Sequence, residues 1–253
     1  MTCRPPLELT AQPPNPIHTH TLTAMTAHLP SADLPIHGTV YGVLLNSQAE
    51  WQAAAPLMAS APYQAPPKAP VLYIKTANTW TLSGHAIAVP SQHASVEIGA
   101  TLGVVLTEQG AVRGYVLLND VSVPHSVAAQ GFYRPPVKYK CIDGFLGVGA
   151  QLLPASDLPN PHAITLEVRI NGTLRQTVQL GQMRRLLPQL LADVDAFMTL
   201  QAGDVLMLGL DVCHDGAEAG QRPHAVVGDV VDIHAPGVPG LGVLRNHLMG
   251  AVA

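Results

Sequence analysis

The 253-residue sequence predicts a mostly-β α+β domain with few short helices, and three observations carry that expectation. Its 22 glycines and 23 prolines punctuate the backbone too often for a helical bundle. Short β-branched and apolar runs recur between turn signals, and one turn signal is an Asn171-Gly172 step flanked by alternating residues. Only one stretch, residues 181–200, sustains a helical period of apolar side chains.

Taken in order, residues 1–37 are rich in Pro, Thr and His without any period and read as a flexible arm, so one domain is expected over 38–253. His18 and His20, two apart in that arm, carry no chemistry in this reading. Residues 39–46 read as a buried strand, after which Ser47 offers an N-cap with Glu50 three positions on, the capping-box spacing, for a helix reaching Ala54. Pro66-Pro67 breaks the chain before a strand at 71–75, and turns are expected from there to Val89-Pro90. Strands follow at 100–106 and 114–121, then a loop through Arg134 to Phe145. The hairpin strand 164–170 turns at Asn171-Gly172 with the type I′ signature. Pro188 falls inside the helical period and predicts a kink or an early break. Gly203-Asp204 and Gly228-Asp229 each introduce a further strand.

Charged residues make up 12% of the chain and the formal net charge is −4, which leaves no basic footprint for nucleic acid. No run approaches the roughly 18 apolar residues of a membrane span, and the N-terminus lacks a basic region followed by an apolar core. Cys3, Cys141 and Cys213 show no CxxC spacing, which favours a reducing compartment, so a cytoplasmic protein without a membrane partner is expected. Asp120, at the end of an apolar strand, is the best single candidate for a hard divalent cation, with a turn role as the alternative. Lys75 and Lys140 lie in apolar or aromatic contexts, where a buried ammonium needs an anion such as a substrate carboxylate, unless both snorkel to the surface. Arg134 suits bidentate carboxylate binding, or packing on Tyr133. Cys141 beside Lys140 is either an activated thiol or a small half-buried residue. No histidine pair has the i, i+4 spacing of a zinc protease, and no GxSxG elbow or Walker loop is present.

Asn46, Tyr73-Ile74-Lys75, Gly114-Tyr115-Val116-Leu117-Leu118-Asn119-Asp120-Val121-Ser122, Lys140-Cys141-Ile142-Asp143-Gly144-Phe145, Val168-Arg169-Ile170-Asn171-Gly172 and Gly228-Asp229-Val230-Val231 occur in that order. In this pattern the chain resembles the fumarylacetoacetate hydrolase family over nearly everything after residue 37. The resemblance implies a mixed β-sandwich roll of that family's C-terminal-domain type. It also implies Mg²⁺ or Mn²⁺ held by an aspartate in the N-D-V-S strand and by two glutamates of an E-x-E strand. By it Asp120 is the metal-binding aspartate, Lys75 and Lys140 are catalytic groups near the substrate carboxylates, and Arg134, Asn119, Asp143 and Gly144 bind substrate. Glu50 is the surviving member of a His/Glu acid-base pair whose histidine is missing from Gln48-Ala49-Glu50. The E-x-E positions fall on Gly99 and Thr101, neither a carboxylate, and Glu97 supplies a ligand only in a different strand register. The family's Gly-Thr-Pro is replaced by Gly209-Leu210-Asp211.

The resemblance is nearest the subfamily that decarboxylates and isomerises 2-oxo and enol dicarboxylic acids in aromatic catabolism. It implies a small-molecule oxo-acid substrate and either a homo-oligomer or pairing with a metal-binding homologous subunit. The alternatives are a catalytically impaired structural subunit of the same enzyme, and an acylpyruvate hydrolase.

Overall fold

Which faces of a sheet are covered determines how its strands read in sequence. In the computed structural model, which describes residues 34–61, 65–108, 110–123 and 137–251, both cases occur side by side. The elements run β1 (Val40–Leu44), α1 (Gln48–Met58), β2 (Val71–Lys75), β3 (Trp80–Leu82), β4 (Ala86–Val89), β5 (Val96–Glu97), β6 (Ala100–Leu106) and β7 (Val112–Asp120). They continue α2 (Val137–Lys140), β8 (Leu146–Val148), β9 (Leu153–Pro154), β10 (Thr165–Ile170), β11 (Thr173–Gln179) and α3 (Leu187–Asp195), and end with β12 (Val205–Met207), β13 (His224–Ala225), β14 (Val230–His234) and β15 (Val243–Gly250).

An eight-stranded mixed sheet has the order β2-β1-β12-β6-β7-β8-β3, with β9 also on β7. Every residue of β6 is buried, which explains its unbroken apolar run: there is no wet face on which to place a polar residue. The alternation persists in which core each side chain enters. Leu102, Val104, Leu106 and Leu117 join one cluster with Leu166, Val168, Ile233 and Leu244 of a second sheet. Val105, Val116 and Leu118 point to the other side, with Val40, Leu146 and Ile36. The second sheet, β11-β10-β14-β15-β4, buries one face only, so β10 and β14 alternate between buried and half-exposed residues. A short β13-β5 pair completes the roll.

The strand at 71–75 and the hairpin stand where the sequence puts them. Asn171 and Gly172 both have positive φ, 51° and 79°, as a type I′ turn demands. Three expectations change. The stretch up to Val89 contains β3 and β4 as well as turns, two strands too short to show a period. The long helix shrinks to α3, with Pro188 in its first turn, where a missing N–H costs nothing, so it starts the helix instead of kinking it. Leu34 and Ile36, within the stretch read as an arm, are buried in the second core cluster. His18, His20 and Arg134 lie outside the described residues. Among the described residues no helix is long and apolar enough to cross a membrane.

Candidate active site

The end of β7 meets β2 and α2 at one buried carboxylate. Successive same-face positions of β2 carry Tyr73 and Lys75, and α2 carries Lys140. Lys140 Nζ lies 2.6 Å from Asp120 Oδ2 and Lys75 Nζ 2.9 Å from Oδ1, and Asp120 has no exposed surface. Tyr73 donates its hydroxyl hydrogen to Oδ2 as well. Its ring reaches there because β1 has Gly42 opposite, where any side chain would run into the ring. Burial alone would raise the Asp120 pKa; the Lys140 and Lys75 charges, with hydrogen bonds from Lys140 and Tyr73, hold it well below the usual carboxylate range. Burial also pushes the Lys140 ammonium down to about 8, although Asp120 opposes the shift and Arg222 and Lys75 add to it. Burial first, and then the Asp120 charge, raise the Tyr73 phenol.

The two lysines are in different situations. Lys75 Nζ donates to the carbonyls of Val121 (3.1 Å), Phe145 (2.7 Å) and Lys140, so its donors tie the loop after α2 to the end of β7. Its pairing with Asp120 Oδ1 is electrostatic, and Oδ1 is left without a directed hydrogen bond. Lys140 Nζ, by contrast, has Asp120 as its hydrogen-bonded partner and lies over the Tyr73 ring, 4.7 Å from the centroid.

A second carboxylate group borders an open cavity of about 610 Å³ lined by Leu45, Glu50, Ala53, Glu97, Arg222 and His224 among others. Ser47 caps α1 by accepting from the Glu50 N–H (2.8 Å) and is itself held by Asp211, to which it donates at 2.6 Å. This half of the capping box forms as the spacing predicts. The other half does not: Glu50 Oε2 accepts from the Leu45 N–H at 2.6 Å, and Oε1 accepts from Arg222 at 2.6 Å. Leu45 has a left-handed backbone, φ 58°, that presents this N–H to the carboxylate. Arg222 donates also to Glu97 Oε2, at 3.2 Å, where Ser122 Oγ donates at 3.1 Å. Burial raises the Glu50 pKa against the pull of Arg222, the Leu45 N–H and Lys140. Burial disfavours the Arg222 charge, yet Glu50 and Glu97 outweigh it and keep the guanidinium protonated.

The structure thus gathers Lys75, Lys140 and Asp120 in one cluster, and Glu50 with Glu97 in an adjoining one. Asn119 is buried and accepts from the Gly99 N–H at 3.2 Å, locking β7 to β6. Asp143 is exposed and accepts from Asn78 at 2.6 Å, and Gly144, φ 77°, accepts from Thr81 Oγ at 2.9 Å; together they form the turn that seats Phe145. Arg222 escaped the sequence reading because its partners are 172 and 125 residues away, with no local pattern to join them.

The residues present do not fit a divalent cation. Among the described residues no three His, Cys, Asp or Glu side chains converge as ligands. Asp120, Glu50 and Glu97 are each already paired with lysine or arginine. The first E-x-E position is Gly99, where a Cβ would sit 2.6 Å from the Asp120 carbonyl oxygen, and the second is Thr101, buried with its hydroxyl unpartnered. Gly99→Ala is therefore expected to overpack the β6–β7 crossing and cost about 1–3 kcal/mol, read as a lower urea midpoint with unchanged slope.

The roll of two facing sheets brings the Asn119-Asp120-Val121 end of β7 against two buried lysines. The fumarylacetoacetate hydrolase C-terminal family model matches residues 39–249, and the chain belongs to that family. It is 34% identical over 214 residues to the 4-hydroxyphenylacetate degradation bifunctional isomerase/decarboxylase of Salmonella dublin, covering 81% of this chain and 46% of that protein. It is 33% identical over 195 residues to the protein of the same name from Escherichia coli, covering 73% and 43%. The chain thus spans about half the length of these curated relatives. Among solved structures, 2-hydroxyhepta-2,4-diene-1,7-dioate isomerase from Mycobacterium marinum superposes with a TM-score of 0.65 at 21% identity, over 87% of this chain and 78% of that one, a likeness of fold.

Proposed function

We propose that the chain is a component of the enzyme that decarboxylates 5-oxopent-3-ene-1,2,5-tricarboxylate and isomerises the product, 2-hydroxyhepta-2,4-diene-1,7-dioate, in aromatic catabolism. The observation that carries this reading is Lys140: a buried ammonium with a lowered pKa, hydrogen-bonded to Asp120 and within electrostatic reach of Glu50 and Arg222 beside the cavity.

When the substrate loses CO₂, the electron pair of the broken C–C bond passes through the conjugated double bond to the 2-oxo oxygen. Fixed cations stabilise that developing dienolate: Arg222 lines the cavity, and in this mechanism the substrate oxygen comes within reach of Lys140, a buried residue outside that lining. A proton passed from Lys140 Nζ to the oxygen gives the 2-hydroxydiene and leaves a neutral amine, a transfer suited to a pKa of about 8. Glu50, protonated more readily than an ordinary glutamate, can then deliver a proton to C5 while the 2-hydroxyl proton returns to Lys140, which gives the 2-oxo-3-ene isomer.

The reading is tested by supplying the tricarboxylate to the purified chain, in EDTA and separately with Mg²⁺ or Mn²⁺. Release of CO₂ with formation of the dienol is the expected result. Turnover only after a metal-binding homologous subunit is added would replace it with the supporting-subunit reading, and no CO₂ in any mixture would overturn it. Partnership within a homo-oligomer or with such a homologue, and a cytoplasmic location, belong to the same proposal; the free thiols of Cys141 and Cys213 accord with a reducing compartment.

A further inference from the structure

Two unrelated features of the site need one explanation. Three acids lie in two adjoining clusters, Asp120 in one and Glu50 with Glu97 in the other, and each is bound to a basic side chain of the chain itself. Arg222 ties Glu50 to Glu97 across the floor of the cavity, with its side chain only 14% exposed. Lys75 and Lys140 complete the set around Asp120. Glu50, Glu97 and Asp120 therefore match Arg222, Lys75 and Lys140 charge for charge. A divalent cation placed among them would bring two uncompensated positive charges among largely buried side chains, where unpaired charge is expensive. A second observation bears on what the site does take: Arg222 Nε is buried without a hydrogen-bond partner although its residue lines the cavity. A guanidinium presents donors in a planar fork that suits a carboxylate, and Nε–H is a donor left over from the pairing with Glu50 and Glu97.

We propose that Arg222 takes over the charge-compensating role of a divalent cation in this chain, so that the cavity binds the carboxylate and oxo oxygens of a 2-oxo acid without metal. The identity of the ligand rests on the function proposed above; the exclusion of metal does not. The guanidinium bridges the carboxylates on one side and offers its remaining donors to the substrate on the other. Unlike a bound metal ion, it cannot be lost to a chelator.

The test uses the full chain with Mn²⁺ and oxalate, the simplest planar mimic of an enolised 2-oxo acid. Wild type is expected to leave the electron paramagnetic resonance signal of free Mn²⁺ undiminished, with or without oxalate, and to bind oxalate in EDTA by calorimetry. Arg222→Met is expected to take up close to one equivalent of Mn²⁺ on the freed Glu50 and Glu97, an uptake that Glu97→Gln in the same background removes. Arg222→Lys, which keeps a cation but loses the fork, is expected to weaken oxalate binding at least tenfold while remaining blind to Mn²⁺. Stoichiometric Mn²⁺ uptake by wild type, or oxalate binding only after Mn²⁺ is added, would overturn the proposal. A folded Arg222→Met chain that ignores Mn²⁺ would also overturn it. If Arg222→Met does not fold, the wild-type and Arg222→Lys measurements decide alone. Metal-free oxalate binding without turnover of the tricarboxylate would instead sink the proposed function and leave the role of Arg222 intact.

Discussion

Asp120→Asn is expected to destabilise the chain by about 3–5 kcal/mol at pH 7, the cost of removing one partner from a buried ion pair. The side chain keeps its shape, so no cavity contributes; the loss comes from two ammoniums, at 2.9 and 2.6 Å, left without an anion. The pH dependence identifies the cause. Lys140 in the folded wild type has a pKa of about 8, below its ordinary value of 10.5, so its ionisation works against folding as pH falls from 10.5 to about 8 and adds nothing further below that. Because Asp120 is the group that holds this pKa up, the Asn variant should shed the Lys140 proton more readily still. Its deficit should therefore shrink between pH 7 and pH 9.5, where neutral lysines cost less. Urea unfolding at both pH values measures it, and a deficit below about 1 kcal/mol, the worth of a surface pair, would show that Asp120 is not the anchor of the cluster.

Lys140→Met is expected to lower decarboxylation about 10²–10⁴-fold, the usual contribution of a positioned acid-base group. The fold should survive, since Asp120 keeps Lys75 and the Tyr73 hydrogen bond. In wild type the protonated ammonium is the active form, so the rate should fall on an alkaline limb centred near pH 8, and the variant should lack that limb. Lys140→Arg separates charge from proton transfer. A guanidinium still stabilises a dienolate but does not give up its proton, so CO₂ release should be retained better than isomerisation. Activity of Lys140→Met within threefold of wild type would remove Lys140 from the chemistry.

What the sequence disclosed depended on the range of the interaction. The β2 strand, the β10–β11 turn and the Ser47 cap rest on neighbours a few residues apart, and each stands where its residues imply. Strand β15, which joins β14 and β4, left no mark in the reading because its alternation of Leu244, Asn246 and Leu248 places a polar residue on the buried face. At the site, Asp120, Lys75, Lys140 and Glu50 were nameable as residues, and Gly99 and Thr101 as departures from a pattern. The pairing was not nameable. The bond between Arg222 and Glu50 spans 172 positions, and only the folded sheets bring its ends together. Lys75 likewise reads as a group in search of an anion, whereas its hydrogen bonds go to three backbone carbonyls, acceptors that carry no side-chain signature.

The closeness of β7 to Gly99 constrains any path, in evolution or in the laboratory, between this chain and an E-x-E relative. A one-codon change that puts a carboxylate at position 99 drives its Cβ against the Asp120 backbone before any ligand can form. Thr101 likewise has no exposed surface. Recovering a metal centre therefore requires strand spacing, both ligand positions and Arg222 to change together, and each intermediate carries either a clash or an unpaired charge. Selection acting one substitution at a time faces a barrier in that direction, and a designer would have to begin from the backbone.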